Sequence, residues 1–140
     1  AVCTDPFSCG EADQFNLGKV LLEYGDSRGL KLIKKQFDNG SAEAGRLLGF
    51  WYKRSGKMQD ALTVWTSLWS RQSDLQPGLE LAKYYEHSEK QYGKALEYVE
   101  RMLATMRFPP TGEGSRAALK HRRRRLLYRM GRGGNEGGAA

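Results

Sequence analysis

Apolar residues recur along this chain at the spacing of helices. In residues 44–69, AGRLLGFWYKRSGKMQDALTVWTSLW, Leu48 and Gly49 lead to Tyr52 a turn later, and Gly56 interrupts the pattern. Ala61, Leu62, Trp65 and Leu68 then fall at i, i+1, i+4 and i+7. Two helices joined at Gly56 are predicted, the second over 58–69. Antiparallel helices approach closely only where a side chain is nearly absent, so Gly49 and Ala61 are expected to face each other across the pair. Alternation of Val, Ile and Thr is nearly absent, and the four prolines lie outside the periodic segments, which argues against a sheet.

The same reading extends in both directions. A first helix is predicted over 11–24, with Phe15, Leu17, Val20, Leu21 and Tyr24 as its apolar stripe and Gly25 as a left-handed stop. Asp26 is the N-cap candidate of a second helix, with Leu30, Ile33 and Phe37 inward and Asn39-Gly40 as its end. Ser41 opens the third helix. Ser73-Asp74 begins the link to a fifth, whose first turn suits Pro77 and whose stripe of Leu81, Tyr84 and Tyr85 runs to His87. A sixth helix over 92–106 carries Ala95, Leu96, Val99, Met102 and Leu103 and is ended by Pro109-Pro110. A seventh spans 113–130. The glycine-rich tail, residues 131–140, buries nothing and is expected to be disordered. Residues 1–10 form a lead-in, and Ala1 in place of a start methionine reads as the beginning of a fragment.

The helices repeat. Leu17-Gly18, Leu48-Gly49 and Leu81-Ala82 recur at 31 and 33 residues, and Gly29-Leu30, Ala61-Leu62 and Ala95-Leu96 at 32 and 34. That period is close to the ~34 residues of a tetratricopeptide repeat. The order Leu48, Gly49, Tyr52, Gly56, Ala61, Leu62, Trp65 resembles the tetratricopeptide signature, and much of it returns in Leu81, Ala82, Tyr85, Tyr92, Ala95 and Leu96. The first copy is one residue short in its turn, and the third has an extra residue in EHSEKQY. The resemblance implies an all-α domain of tetratricopeptide-like antiparallel hairpins stacked in a right-handed array. Its repeats cover about 11–40, 41–75 and 76–110, and a capping helix over 113–130 covers the apolar side that the last repeat leaves open.

Composition refines this picture. A chain of 140 residues with 39% apolar content can bury a core. No apolar run approaches the ~20 residues of a membrane span, and no signal-peptide pattern opens the chain, so a cytoplasmic protein without membrane contact is expected. Cys3 and Cys9 have no common zinc spacing; one disulfide between them is the alternative to the favoured reading as reduced thiols of a cytosolic lead-in. The net charge of +7 is uneven: residues 1–112 carry +1, and residues 113–132 carry +7. The repeats are close to neutral and the last helix is strongly basic.

No residues assemble into a catalytic set, a phosphate loop or a metal cluster, so no catalytic residue, metal or cofactor is expected. His87 reads as a helix-end residue near the last carbonyls. Most of Trp51, Tyr52, Trp65, Trp69, Tyr84, Tyr85, Tyr92 and Tyr98 fall at intervals that bury side chains between paired helices, which favours core over a stacking platform. Phe50 is the exception. By resemblance to tetratricopeptide first helices, a concave groove would be lined by Phe15, Lys19, Leu22 and Glu23, by Arg46, Phe50, Lys53 and Arg54, and by Leu79, Lys83 and Glu86. Such a lining suits an extended or helical protein segment with acidic and apolar groups. The carboxylate clamp of tetratricopeptide co-chaperones is missing, since Phe15 and Lys19, Leu47, Gln76 and Glu80 occupy its places. In the basic run from His121 to Arg125, Arg122, Arg125 and Arg129 share one side of a helix. They are the candidate phosphate contacts through which nucleic acid would bind, weighed against a solvated helix face. Arg123 falls within the stripe of Leu119, Leu126 and Met130, as a snorkelling or ion-paired residue.

Several strings together go further. The Asp5-Pro6 lead-in, YKRSGKMQDALTVW, AKYYEH running into a Y-x-KALEY helix, and HRRRRLLYRM resemble the C-terminal helical region of bacterial ribonuclease-H-like proteins of the DEDD-type exonuclease superfamily. The likeness covers about 4–130 and rests on Lys53-Arg54, Trp65, residues 82–87, His121-Arg122, Arg125-Leu126 and Arg129. It implies a nuclease domain ahead of these helices, which would hold the superfamily's acidic metal ligands; none maps here. Arg123 departs from the aliphatic residue usual in that family's HR-x-x-RL helix. The expected function is a protein-interaction or scaffolding module packed against such a nuclease domain. The runner-up is a basic appendage that contacts nucleic acid.

Overall fold

Helix starts and stops follow local chemistry. The Asp26 carboxylate accepts from the Arg28 backbone N–H at 2.9 Å, and Ser41 Oγ accepts from that of Ala44 at 3.1 Å. The stops at Gly25, Gly40 and Gly56 share one geometry, with φ of 74°, 100° and 76°. At the first of them Gly25 N–H donates to Leu22 O and Asp26 N–H to Leu21 O, at 3.0 and 2.8 Å. In the turn of the third hairpin, Lys90 takes the left-handed conformation at φ 51°.

The computed structural model describes residues 10–133 except 73, 74 and 106. It is all-α: seven helices and no strand among the described residues. In order they are α1 (Glu11–Glu23), α2 (Ser27–Asp38), α3 (Ala42–Arg54), α4 (Met58–Gln72), α5 (Leu75–His87), α6 (Tyr92–Thr105) and α7 (Arg116–Gly133). Three bounds differ from expectation by three residues: α4 runs on from 69 to Gln72, and both ends of the seventh helix lie later than expected. The seventh helix begins after Ser115, whose Oγ accepts from Ala118 N–H at 3.2 Å, three residues later than predicted. It runs on into what was expected to be tail; residues 134–140, like Cys3 and Cys9, lie outside the described residues.

The chain divides into two compact units, Ala1–Trp65 and Thr66–Ala140, with the division inside α4. In the first, α1 and α2 meet where Gly29 faces the backbone of Leu22 and Gly18: a Cβ on Gly29 would lie 2.6 Å from Leu22 N. Leu32, Ile33, Phe37, Ala44 and Leu48 fill its core, and the buried Gln36 amide donates to the buried Gln14 amide oxygen at 3.2 Å. Ala61 is buried as expected, but the neighbour of Gly49 is Trp65, whose indole occupies the space a Cβ would need. The small residue makes room for a ring, where a second small residue was predicted. Val20 and Tyr24, placed on the apolar stripe of the first helix, are 48% and 85% exposed.

In the second unit, the Trp69 ring and the Met102 sulfur sit over Gly78, and Leu81, Ala82, Ala95, Val99 and Met102 are buried around them. From α7, Leu119 and Leu126 are completely buried, whereas Met130, expected on the same stripe, is exposed. These leucines place α7 as one more layer on this unit's core, next to α6.

Candidate interaction surfaces

In the first unit, α1 and α3 leave an open groove of about 440 Å³. Its walls are Lys19, Leu22, Glu23, Leu47, Phe50, Trp51, Arg54 and Ser55. Phe50 is 43% exposed, and Lys19 and Arg54 are exposed on the same groove. The expected residues Lys19, Leu22, Glu23, Phe50 and Arg54 are thus brought together. Phe15, Arg46 and Lys53 do not line the groove, although Lys19 Nζ lies 5.4 Å from the Phe15 ring centroid. Leu47 and Trp51 were missed as lining. Trp51 follows Leu48 by one turn and so read as core, yet it is half-buried with Lys57 Nζ 5.6 Å from its ring.

In the second unit the expected groove residues are used up internally. Leu79 is buried, and Lys83 reaches Glu80 at 3.3 Å and Glu113 at 3.1 Å. Glu86 is completely buried, with Oε2 accepting from Arg122 Nη1 at 2.5 Å and Oε1 from Arg125 Nε at 2.6 Å. The seventh helix and the segment before it therefore lie against the face of α5 that the resemblance assigned to the groove. Leu79 and Glu86 are corrected from groove lining to interior. The signal for Glu86 was present in the sequence: it lies on the stripe of Leu79 and Ala82, and an acid on an apolar stripe calls for a buried cation.

Burial by itself pushes the Glu86 carboxyl up. Hydrogen bonds from Arg125 and Arg122, together with their charges, outweigh this and hold it below the ordinary glutamate range. Two of the three candidate phosphate contacts, Arg122 and Arg125, are thereby turned inward. The third, Arg129, lies with its guanidinium 5.6 Å from the Tyr92 ring centroid. Arg123 is exposed and pairs with Glu100 at 3.4 Å. Its helix position brings it to the edge of the buried stripe, from which the side chain reaches solvent. His87 stands exposed in the last turn of α5.

Among the described residues no group of three His, Cys, Asp or Glu side chains could hold a metal ion, and no helix is long and apolar enough to cross a membrane.

Over 78 residues the chain is 35% identical to the protein described as uncharacterized protein YprB of Bacillus subtilis (strain 168). That match covers 53% of this chain and 18% of the relative's length, so the chain spans less than a fifth of the protein it resembles. No protein-family model matches the chain, and no solved structure does.

Proposed function

We propose that this chain is a cytoplasmic protein-interaction module of the tetratricopeptide type. Its hairpins stack in a right-handed array, α7 closes the array, and it serves a larger protein with a ribonuclease-H-like nuclease domain while catalysing nothing itself. The observation that carries the interaction reading is the groove of α1 and α3, where Phe50 stands exposed in a groove that also presents Lys19 and Arg54. An exposed aromatic ring provides apolar area at low entropic cost, and flanking cations orient an acidic partner and speed its approach. The ligand is a protein segment that places an apolar side chain on Phe50 and carboxylates against Lys19 and Arg54. The buried Leu119 and Leu126 and the Glu86 ion pairs support the closing role of α7, since they commit one face of that helix to the interior.

Selection from a displayed library of random peptides tests this reading. Selected peptides should combine acidic with aromatic or aliphatic residues, and they should lose at least tenfold in affinity for Phe50→Ala and for the double variant Lys19→Glu, Arg54→Glu. Peptides indifferent to both variants would exclude the groove as the ligand site.

A further inference from the structure

Arg122, Arg125 and Arg129 are the candidate phosphate contacts of α7 on the sequence alone, weighed there against a solvated helix face. The ion pairs with Glu86 leave a different set of cations facing outward. Arg116, Lys120 and Arg123 stand at i, i+4 and i+7, all exposed, along the edge of α7 that borders α6. With Glu100, Leu103 and Ala104 of α6 they line an open channel of about 410 Å³. At ~1.5 Å rise per residue, these cations are spread over about 10 Å of helix, with successive members about 6 and 4.5 Å apart along its axis. Arg124, also exposed, extends the row to the neighbouring side of the helix.

We infer that the channel between α6 and α7 binds the phosphodiester backbone of a single-stranded nucleic acid through Arg116, Lys120 and Arg123. The charges form a row and do not converge on one point, which suits a ligand whose negative charge repeats along its length better than a single phosphate group. An acidic protein segment is the weaker match. Such segments take most of their affinity from apolar anchors in pockets, and among the described residues the channel's apolar side chains are Leu103 and Ala104. The carboxylate that lines the channel among the described residues, Glu100, is half-exposed and holds Arg123 at 3.4 Å, a surface pair that a phosphate oxygen can displace at small cost. The proposal is independent of the groove in the first unit.

The test is fluorescence anisotropy of a short labelled single strand of mixed sequence, titrated with the full chain across a range of salt. Three phosphate contacts predict a log-log salt slope near −2, and therefore affinity weakened by about fifteenfold between roughly 50 and 200 mM salt. The triple variant Arg116→Gln, Lys120→Gln, Arg123→Gln should lose at least tenfold in affinity with an unchanged melting temperature. Lys19→Gln with Arg54→Gln, a charge change in the other unit, should bind as the parent does. A flat salt profile or an unimpaired triple variant would overturn the proposal. So would a duplex that binds more tightly than the single strand, or a poly-glutamate peptide that competes as well as the unlabelled strand.

Discussion

Glycine at a helix contact can be present for opposite reasons, and the close approaches here separate them. Alanine in place of a helical glycine gains about 0.5–1 kcal/mol from backbone entropy, while overpacking a core costs about 1–3 kcal/mol. At Gly49 a Cβ meets the rigid indole of Trp65, and at Gly29 it meets backbone atoms, with Gly18 O at 2.8 Å. Neither neighbour can move aside, so Gly49→Ala and Gly29→Ala should each lower the melting temperature. At Gly18 the nearest atom is the tip of Ile33, Cδ1 at 2.9 Å, which a rotamer adjustment can shift. Gly18→Ala should therefore be the mildest of the three in thermal melts. Alanine at 49 or 29 melting at or above the parent temperature would contradict the packing described.

At the scale of elements, α7 is attached by both kinds of force: Leu119 and Leu126 bury apolar surface, and Arg122 and Arg125 reach the interior to meet Glu86. Removing the carboxylate leaves two guanidinium groups without their buried counter-charge, and breaking such a pair costs about 3–5 kcal/mol. Glu86→Gln should show this loss in urea unfolding at neutral pH. The pH dependence has a defined direction. The folded pKa of Glu86 lies below that of an unfolded glutamate, about 4.3. The stability it contributes is thus fully present above that value and is lost as pH falls through the lower folded pKa. Between pH 7 and pH 3 the parent should lose more unfolding free energy than Glu86→Gln does, and parallel profiles would show that this carboxylate is not the titrating group. Glu86→Asp, which keeps the charge but shortens the reach, should fall between the two at neutral pH.

For the molecule as a whole, the two proposed surfaces lie on separate units and use separate residues, Lys19, Phe50 and Arg54 in one and Arg116, Lys120 and Arg123 in the other. A scaffold reading predicts binding without chemistry. Purified chain should leave labelled DNA and RNA strands intact in magnesium or manganese, even at concentrations where the strand is bound. Hydrolysis that persisted through purification and vanished on replacing one of this chain's own acids would refute the non-catalytic reading.

What the sequence determined by itself was local. Helix number, the caps at Asp26 and Ser41 and the stops at Gly25, Gly40 and Gly56 follow from hydrogen bonds and backbone angles within a few residues, and all are legible from residue type and spacing. The exposed Phe50 was also legible, through the groove position that the tetratricopeptide resemblance assigns to the residue after Leu48-Gly49. Tertiary structure decided everything that depends on how one helix is rotated against another. Periodicity names a face without naming what it meets, so Gly49 received Trp65 where Ala61 was expected. Tyr24, assigned to the stripe of α1, is exposed as the C-cap residue just past the last turn of that helix. The partners of Glu86 lie 36 and 39 residues away, and no local rule links an acid at the end of one helix to arginines on another. That long-range pairing also determined which cations of α7 remained outside: a buried charge requires a counter-charge, and once Arg122 and Arg125 had supplied it, the outward row was left to Arg116, Lys120 and Arg123.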